Sequence, residues 1–241
     1  MFNNSYIIFT FVISYIQVLN HIMARIKDSI FGGVSGKIGN VVSCCRYGKY
    51  YLRTLPGEVR QPNTQKQLSQ RMRFALVQEL LQSISQHCRV GFGAYAQGRS
   101  AYNAAMSANL KNAVTGDYPD LHIDFSKVQV SKGTLAMAAN ITMQRTYNDS
   151  ITIAWQNTIE AKTGNHSDKV VVLLLTTTPF SFISSFTDER RMAGQVSIPL
   201  PPDWKSTVIH GYLSFITADI ITGNMLAQHI SDSAYCGEIT V

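Results

Sequence analysis

Charge is scarce in this sequence. Asp, Glu, Lys and Arg make up 15% of the 241 residues and hydrophobic residues 45%, a balance that excludes a disordered chain and suffices for a packed core. Cysteine is scarcer still, at Cys44, Cys45, Cys88 and Cys236. Adjacent Cys44 and Cys45 do not readily bridge each other, and no paired C-x-x-C spacing occurs. Both facts argue against a disulfide scaffold and a zinc site. Free thiols favour a reducing compartment, so a cytoplasmic location is expected ahead of a secreted one. Apolar runs stop short of membrane length. Tyr6 to Leu19 is almost wholly apolar, but its fourteen residues fall below the roughly 20 of a spanning helix. It also lacks the basic start and small-residue cleavage site of a secretory signal. Met23 to Lys27 then reads like a native start. Residues 1–22 are therefore expected to be an upstream extension from a misplaced start codon, with an atypical signal or anchor as the alternative.

Catalytic signatures are missing as well. Gly32, Gly33, Gly36 and Lys37 invite comparison with a phosphate-binding loop, but only three residues separate Gly32 from Gly36 and Ile38 follows the lysine. That loop needs four residues between its glycines and a hydroxyl residue after the lysine to hold magnesium. His87, His122, His166, His210 and His229 are scattered, with no carboxylate or cysteine at ligand spacing. No G-x-S-x-G elbow occurs. No catalytic residue, cofactor or metal ligand is expected, and an enzyme is the least favoured class.

What the chain does have is an asymmetry hidden by its net charge of +6. Residues 23–120 hold 13 Lys and Arg against 5 Asp and Glu, whereas residues 121–241 hold 8 against 10. A basic half can meet nucleic acid, an acidic partner surface or anionic lipid, and a merely solvated face is the equal alternative.

Residues 23–62 read as a basic, glycine-rich β-arm. Arg46 to Lys49 forms a tight turn between two short strands, with Gly48 free to take positive φ. A hairpin with so little apolar surface must lean on something else. Residues 63–118 read as helical. Thr64 with Gln67 is a capping-box pattern, and Leu68, Met72, Leu76, Leu80 and Ile84 hold the spacing of one helical face as far as about Cys88. Gly91 to Gly93 breaks that helix, and a second spans Ser100 to Val114.

From Leu121 the apolar period becomes two. Strands are expected at Leu121–Phe125, Leu135–Met143, Ile151–Trp155, Val170–Thr177, Val196–Leu200, Thr207–Thr217, Met225–Ile230 and Glu238–Val241. The run from Val170 is apolar on both faces and so doubly buried. Such a series in residues 119–241 predicts an immunoglobulin- or fibronectin-III-like β-sandwich with Trp155 between the sheets. Tyr212 is a candidate corner tyrosine whose facing is undecided, and no cysteine pair marks an antibody-type domain. The fold class is thus mainly β or α+β.

The densest basic run holds Arg46, Lys49, Arg53, Arg60, Lys66, Arg71 and Arg73, interleaved with Tyr47, Tyr50 and Tyr51. Cations there can neutralise phosphates while tyrosines stack on unpaired bases. A solvated β-arm with packed tyrosines needs no ligand and is the favoured account.

Met23 to Lys27, Phe31 to Val42, Arg53 to Pro56, Gln65 to Phe74 and the ending Ser231 to Tyr235 together resemble domain-of-unknown-function family 6266, common in Bacteroidetes. The resemblance covers residues 23–241, implies a start at Met23 and brings no established activity. Cys44 and Cys45 depart from it, standing where bulkier apolar or aromatic residues are expected. The expected function is a non-catalytic structural or interaction protein that self-assembles through its N-terminal arm, as a homo-oligomer or with another protein. The alternative is a nucleic-acid-binding module using residues 46–73.

Overall fold

The computed structural model describes residues 25–26, 34–46, 48–55, 57, 64–146, 149–157, 166–177, 180–204, 207–217 and 229–241. The chain divides into two compact units, residues 1–62 and 63–241.

The first unit is an antiparallel sheet of β1 (Arg25–Ile26), β2 (Val34–Ile38), β3 (Val41–Arg46) and β4 (Lys49–Thr54), in that spatial order. The expected tight turn is present, with Arg46 opposite Lys49 and Gly48 at φ +74°. Antiparallel register puts directly paired residues on one face. Ser43 pairs with Gly36 and with Leu52, so Ile38, Val41, Tyr50 and Leu52 share one face. Lys37, Val42, Arg46, Lys49, Tyr51 and Arg53 share the other.

The second unit has α1 (Gln65–Ser83), α2 (Ser85–Gly91) and α3 (Ala101–Asn112). The single helix expected to reach Cys88 is two, interrupted at Ile84, whose φ is −100° and ψ 24°. Thr64 does cap α1 by position. However, its hydroxyl donates to Gln67 Oε1 at 2.9 Å and does not accept from the backbone, so the expected capping box is replaced by a side-chain pair. Ser100 caps α3 in full, accepting from Asn103 N at 3.1 Å. Gly91 is the last residue of α2, and a Cβ there would collide with the Val130 carbonyl oxygen. Buried Asn109 ties α3 to the next loop, donating to Ala105 O and Gln129 O and accepting from Gln129 N. Each polar atom of its amide group therefore has a partner, as burial requires.

The strands that follow are β5 (Val114–Thr115), β6 (His122–Ile123), β7 (Ala139–Thr146), β8 (Ser150–Gln156), β9 (Lys169–Thr177), β10 (Phe180–Arg190), β11 (Gln195–Pro199), β12 (Val208–Ile216) and β13 (Ala234–Thr240). They form a four-stranded sheet ordered β10-β9-β12-β13, a three-stranded sheet ordered β11-β8-β7, and the pair β5-β6. Strand β9 is buried on both faces, as its unbroken apolar run implies. Leu173 and Leu175 join Tyr212 and the buried side of the helices, including Val77, Leu80 and Ile84. Val170, Val172 and Leu174 join Ile209, Leu213 and Phe215 against Ile151, Ile153, Trp155, Val196 and Ile198 of the smaller sheet. The unit is therefore layered as helices, four-stranded sheet and three-stranded sheet, each interface closing one apolar cluster. The chain is mainly β with an α+β arrangement.

Several strand expectations change, and the terminal strand expected at Glu238–Val241 begins earlier, at Ala234. Leu121–Phe125 shrinks to β6, because Asp124 accepts from Ser126 N at 3.1 Å and turns Phe125 into a short 3-10 helix. The strand expected from Leu135 begins at Ala139, and Leu135 makes only an isolated bridge to Ser231. Strand β10, eleven residues long, was not expected. Of the strand expected at Met225–Ile230, residues 225–228 lie outside the described residues, as do residues 1–22, Tyr47 and Arg60.

Candidate functional site

The basic run of the sequence is distributed over two places. In the first unit, Arg46, Lys49, Tyr51 and Arg53 fall on one face of the sheet with Lys37, while Tyr50 falls on the other. All six residues of β4 are exposed. Ile38, Tyr50 and Leu52 are exposed by 56%, 61% and 69%. Among the described residues, no apolar side chain of this unit is buried. A single sheet with an apolar face normally covers it with a second layer.

In the second unit, Lys66 and Arg73 line one groove of about 690 Å³ with Lys111, Asp117 and Tyr118. Residues 66, 69, 70 and 73 recur on one side of α1, as a helical period requires. Arg71, roughly 200° around the helix from Arg73, is not among the groove residues. The guanidinium Nη2 of Arg73 donates to Val114 O at 3.5 Å, which holds it across the gap between α1 and the end of α3. Lys111 also lines a neighbouring hollow of about 250 Å³ with Arg99 and Lys132. Lys132 Nζ sits 5.3 Å from the centroid of the Tyr95 ring. Sequence reading missed Lys111, Arg99, Lys132 and Tyr118. The packing of α1 against the end of α3 brings Lys111 and Tyr118 to Lys66 and Arg73 from more than thirty positions away, Arg99 and Lys132 meet Lys111 in the neighbouring hollow, and no local pattern announces either.

Several other titratable groups are built into the core. His87 is buried, its Nδ1 lies 2.8 Å from Ser184 Oγ, and burial lowers its pKa to about 4. It is neutral at pH 7. Burial pushes the Cys88 and Cys236 thiols up to about 12, far from a reactive thiolate. His210 stacks on Phe125 and meets Tyr235 Oη at 2.9 Å; burial lowers its pKa against the opposing pull of Glu238. Asp168 and Arg191 form a buried ion pair, Oδ2 to Nε 3.4 Å. The Arg191 guanidinium also donates to Ala136 O at 2.6 Å and lies 4.0 Å over the Phe215 ring. Among the described residues, no three His, Cys, Asp or Glu side chains gather to hold a metal ion. No described helix is long and apolar enough to cross a membrane.

The model of one protein family, Family of unknown function (DUF6266), matches residues 33–236. The chain belongs to that family. The match begins in the first unit and runs nearly to the end of the second, so β2, β3 and β4 are part of what defines the family's fold. The resemblance carried by Phe31 to Val42 and Ser231 to Tyr235 holds. No curated protein matches the chain.

Proposed function

We propose that the chain is a non-catalytic interaction protein that assembles with further copies of itself through its N-terminal sheet. One observation carries this reading: β4 is an edge strand exposed at all six residues, beside an apolar face that buries none of Ile38, Tyr50 and Leu52. Edge strands with unpaired backbone groups add to other sheets. Two copies of β4 make poor partners, because Lys49 and Arg53 would meet their own charges. A better match is the outer edge of β10 in a second copy. That strand is also terminal in its sheet, exposes Phe182 and Phe186, and carries Asp188, which pairs with Lys169 at 2.7 Å, and Glu189 just before its last residue, Arg190. Such a contact is heterologous and builds rings or filaments.

The test is charge reversal with the full chain. Lys49→Glu/Arg53→Glu and Asp188→Lys/Glu189→Lys each shift the oligomer towards monomer, and mixing the two variants restores it. An oligomer indifferent to both pairs would reject the arm and its acceptor together.

The finer shape belongs to the same proposal. The cluster shared by the two sheets, with Trp155 inside it, supports an immunoglobulin- or fibronectin-like sandwich carrying helices on its outer face. Four unbridged cysteines support a cytoplasmic setting. A second reading, nucleic-acid contact through residues 46–73, is favoured by the shared face of Arg46, Lys49, Tyr51 and Arg53. A steep linear fall of log K with log salt is its signature; the charge pairs proposed for assembly are screened by salt only modestly, beside backbone and apolar contacts that are not.

A further inference from the structure

We infer that the groove between α1 and the end of α3 is a track for single-stranded nucleic acid, a site independent of assembly through the arm. The groove gathers three cations, Lys66, Arg73 and Lys111, around one carboxylate, Asp117. Neither lysine forms an ion pair among the described residues. Asp117 offsets one of the three cations, so the groove keeps a net excess of positive charge, and an anionic ligand relieves the repulsion that remains.

Its shape selects among anions. Gln65, Lys66, Gln70, Lys111 and Tyr118 are exposed along its walls, so it is an open trough and does not enclose a small molecule. The cations also continue past it, since Lys111 is shared with the hollow that holds Arg99 and Lys132. A run of that kind fits a chain of phosphates better than a single one. Tyr118 stands in the groove wall, 40% exposed, and offers a ring face to a base. A duplex keeps its bases stacked inside and leaves that ring unused, whereas an unpaired strand presents them. Cations for the phosphates and an exposed aromatic for the bases are together the pairing that single-strand binders use.

The experiment is fluorescence anisotropy of a labelled oligothymidylate titrated with the full chain across a salt series. Each phosphate contact on a single strand contributes about −0.7 to the slope of log K against log salt, so the three groove cations give about −2 and Arg99 and Lys132 steepen it further. Lys66→Glu/Lys111→Glu lowers affinity at least tenfold and flattens the slope by about 1.4. Tyr118→Ala lowers affinity about fivefold or more with the slope unchanged, as loss of one stacked base does. Lys49→Glu/Arg53→Glu in the arm leaves affinity unaltered. The lysines are exposed, so the fold survives their replacement. No binding at low salt overturns the inference, as does a loss that follows the arm variant instead of the groove variant. Equal binding of a duplex, or indifference to Tyr118→Ala, marks a generic polyanion surface and overturns it too.

Discussion

Replacing Trp155 with alanine interrogates the interface between the two sheets. Trp155 is 6% exposed, lies edge-on to Phe215 with ring centroids 5.7 Å apart, and donates from Nε1 to Arg191 O at 3.0 Å. An indole of this kind removes roughly 200 Å² from water, an upper estimate of about 5 kcal/mol at 25 cal/mol/Å². Alanine keeps a small part of that, and the residual cavity adds its own penalty, so large-to-small changes of this type cost about 3–5 kcal/mol. The orphaned Arg191 carbonyl contributes about 1 kcal/mol more. Trp155→Ala should therefore destabilise the second unit by about 4–6 kcal/mol, a fall of roughly 10–20 °C in Tm for a unit of this size. Trp155→Phe should cost about half as much, since it keeps an aromatic ring in the cluster but loses the N–H and the remainder of the indole's bulk. Urea denaturation followed by circular dichroism gives both numbers. Trp204, 5% exposed in the same cluster, remains as a fluorescence probe. A loss below about 1 kcal/mol for the alanine variant would refute the facing of β8.

Other expectations follow from the same structure. His87 titrates at about 4 when folded and near 6.5 when unfolded. Its contribution is thus complete above pH 6.5 and lost as pH falls towards 4, about 3 kcal/mol in all; His87→Gln should flatten that window in a pH series of Tm, and an unchanged window would remove His87 as its cause. Gly91→Ala should cost about 2 kcal/mol by overpacking against Val130, while Gly57→Ala, with open space around it, should stay within about 0.5 kcal/mol. Exposed Cys45 should react with a thiol reagent in the native chain while buried Cys88 and Cys236 react only on unfolding; equal rates would mean the core opens readily.

Much of the fold was legible where period and burial coincide. The run from Val170 announced a strand buried twice, and β9 contributes to both clusters, as β12 does. The turn at Gly48 was legible because two short strands flank a residue that needs positive φ. Strand β10 was hidden because Ser184 and Ser185 interrupt its apolar alternation; Ser184 faces the helices as a partner for His87, which no local pattern reveals. The break at Ile84 was silent for the opposite reason. Ile84 is fully buried, so the apolar spacing runs straight through it with neither glycine nor proline to mark the kink. Tyr212, undecided by sequence, turns to the helical side and donates to Phe125 O at 2.8 Å. The candidate site was only half legible: Lys66 and Arg73 stood out by density, but Lys111 and Tyr118 reach them through the packing of α1 on α3.

The central claim is that the N-terminal sheet joins copies of this chain, and light scattering with the full chain tests it most directly. The intact chain should run as an oligomer whose mass rises with concentration. Tyr50→Asp/Leu52→Asp, which places charge on the exposed apolar residues of β4, should yield a monomer with the Tm of the second unit unchanged. A monomer at every concentration in the intact chain, or an oligomer that survives both substitutions, would contradict it.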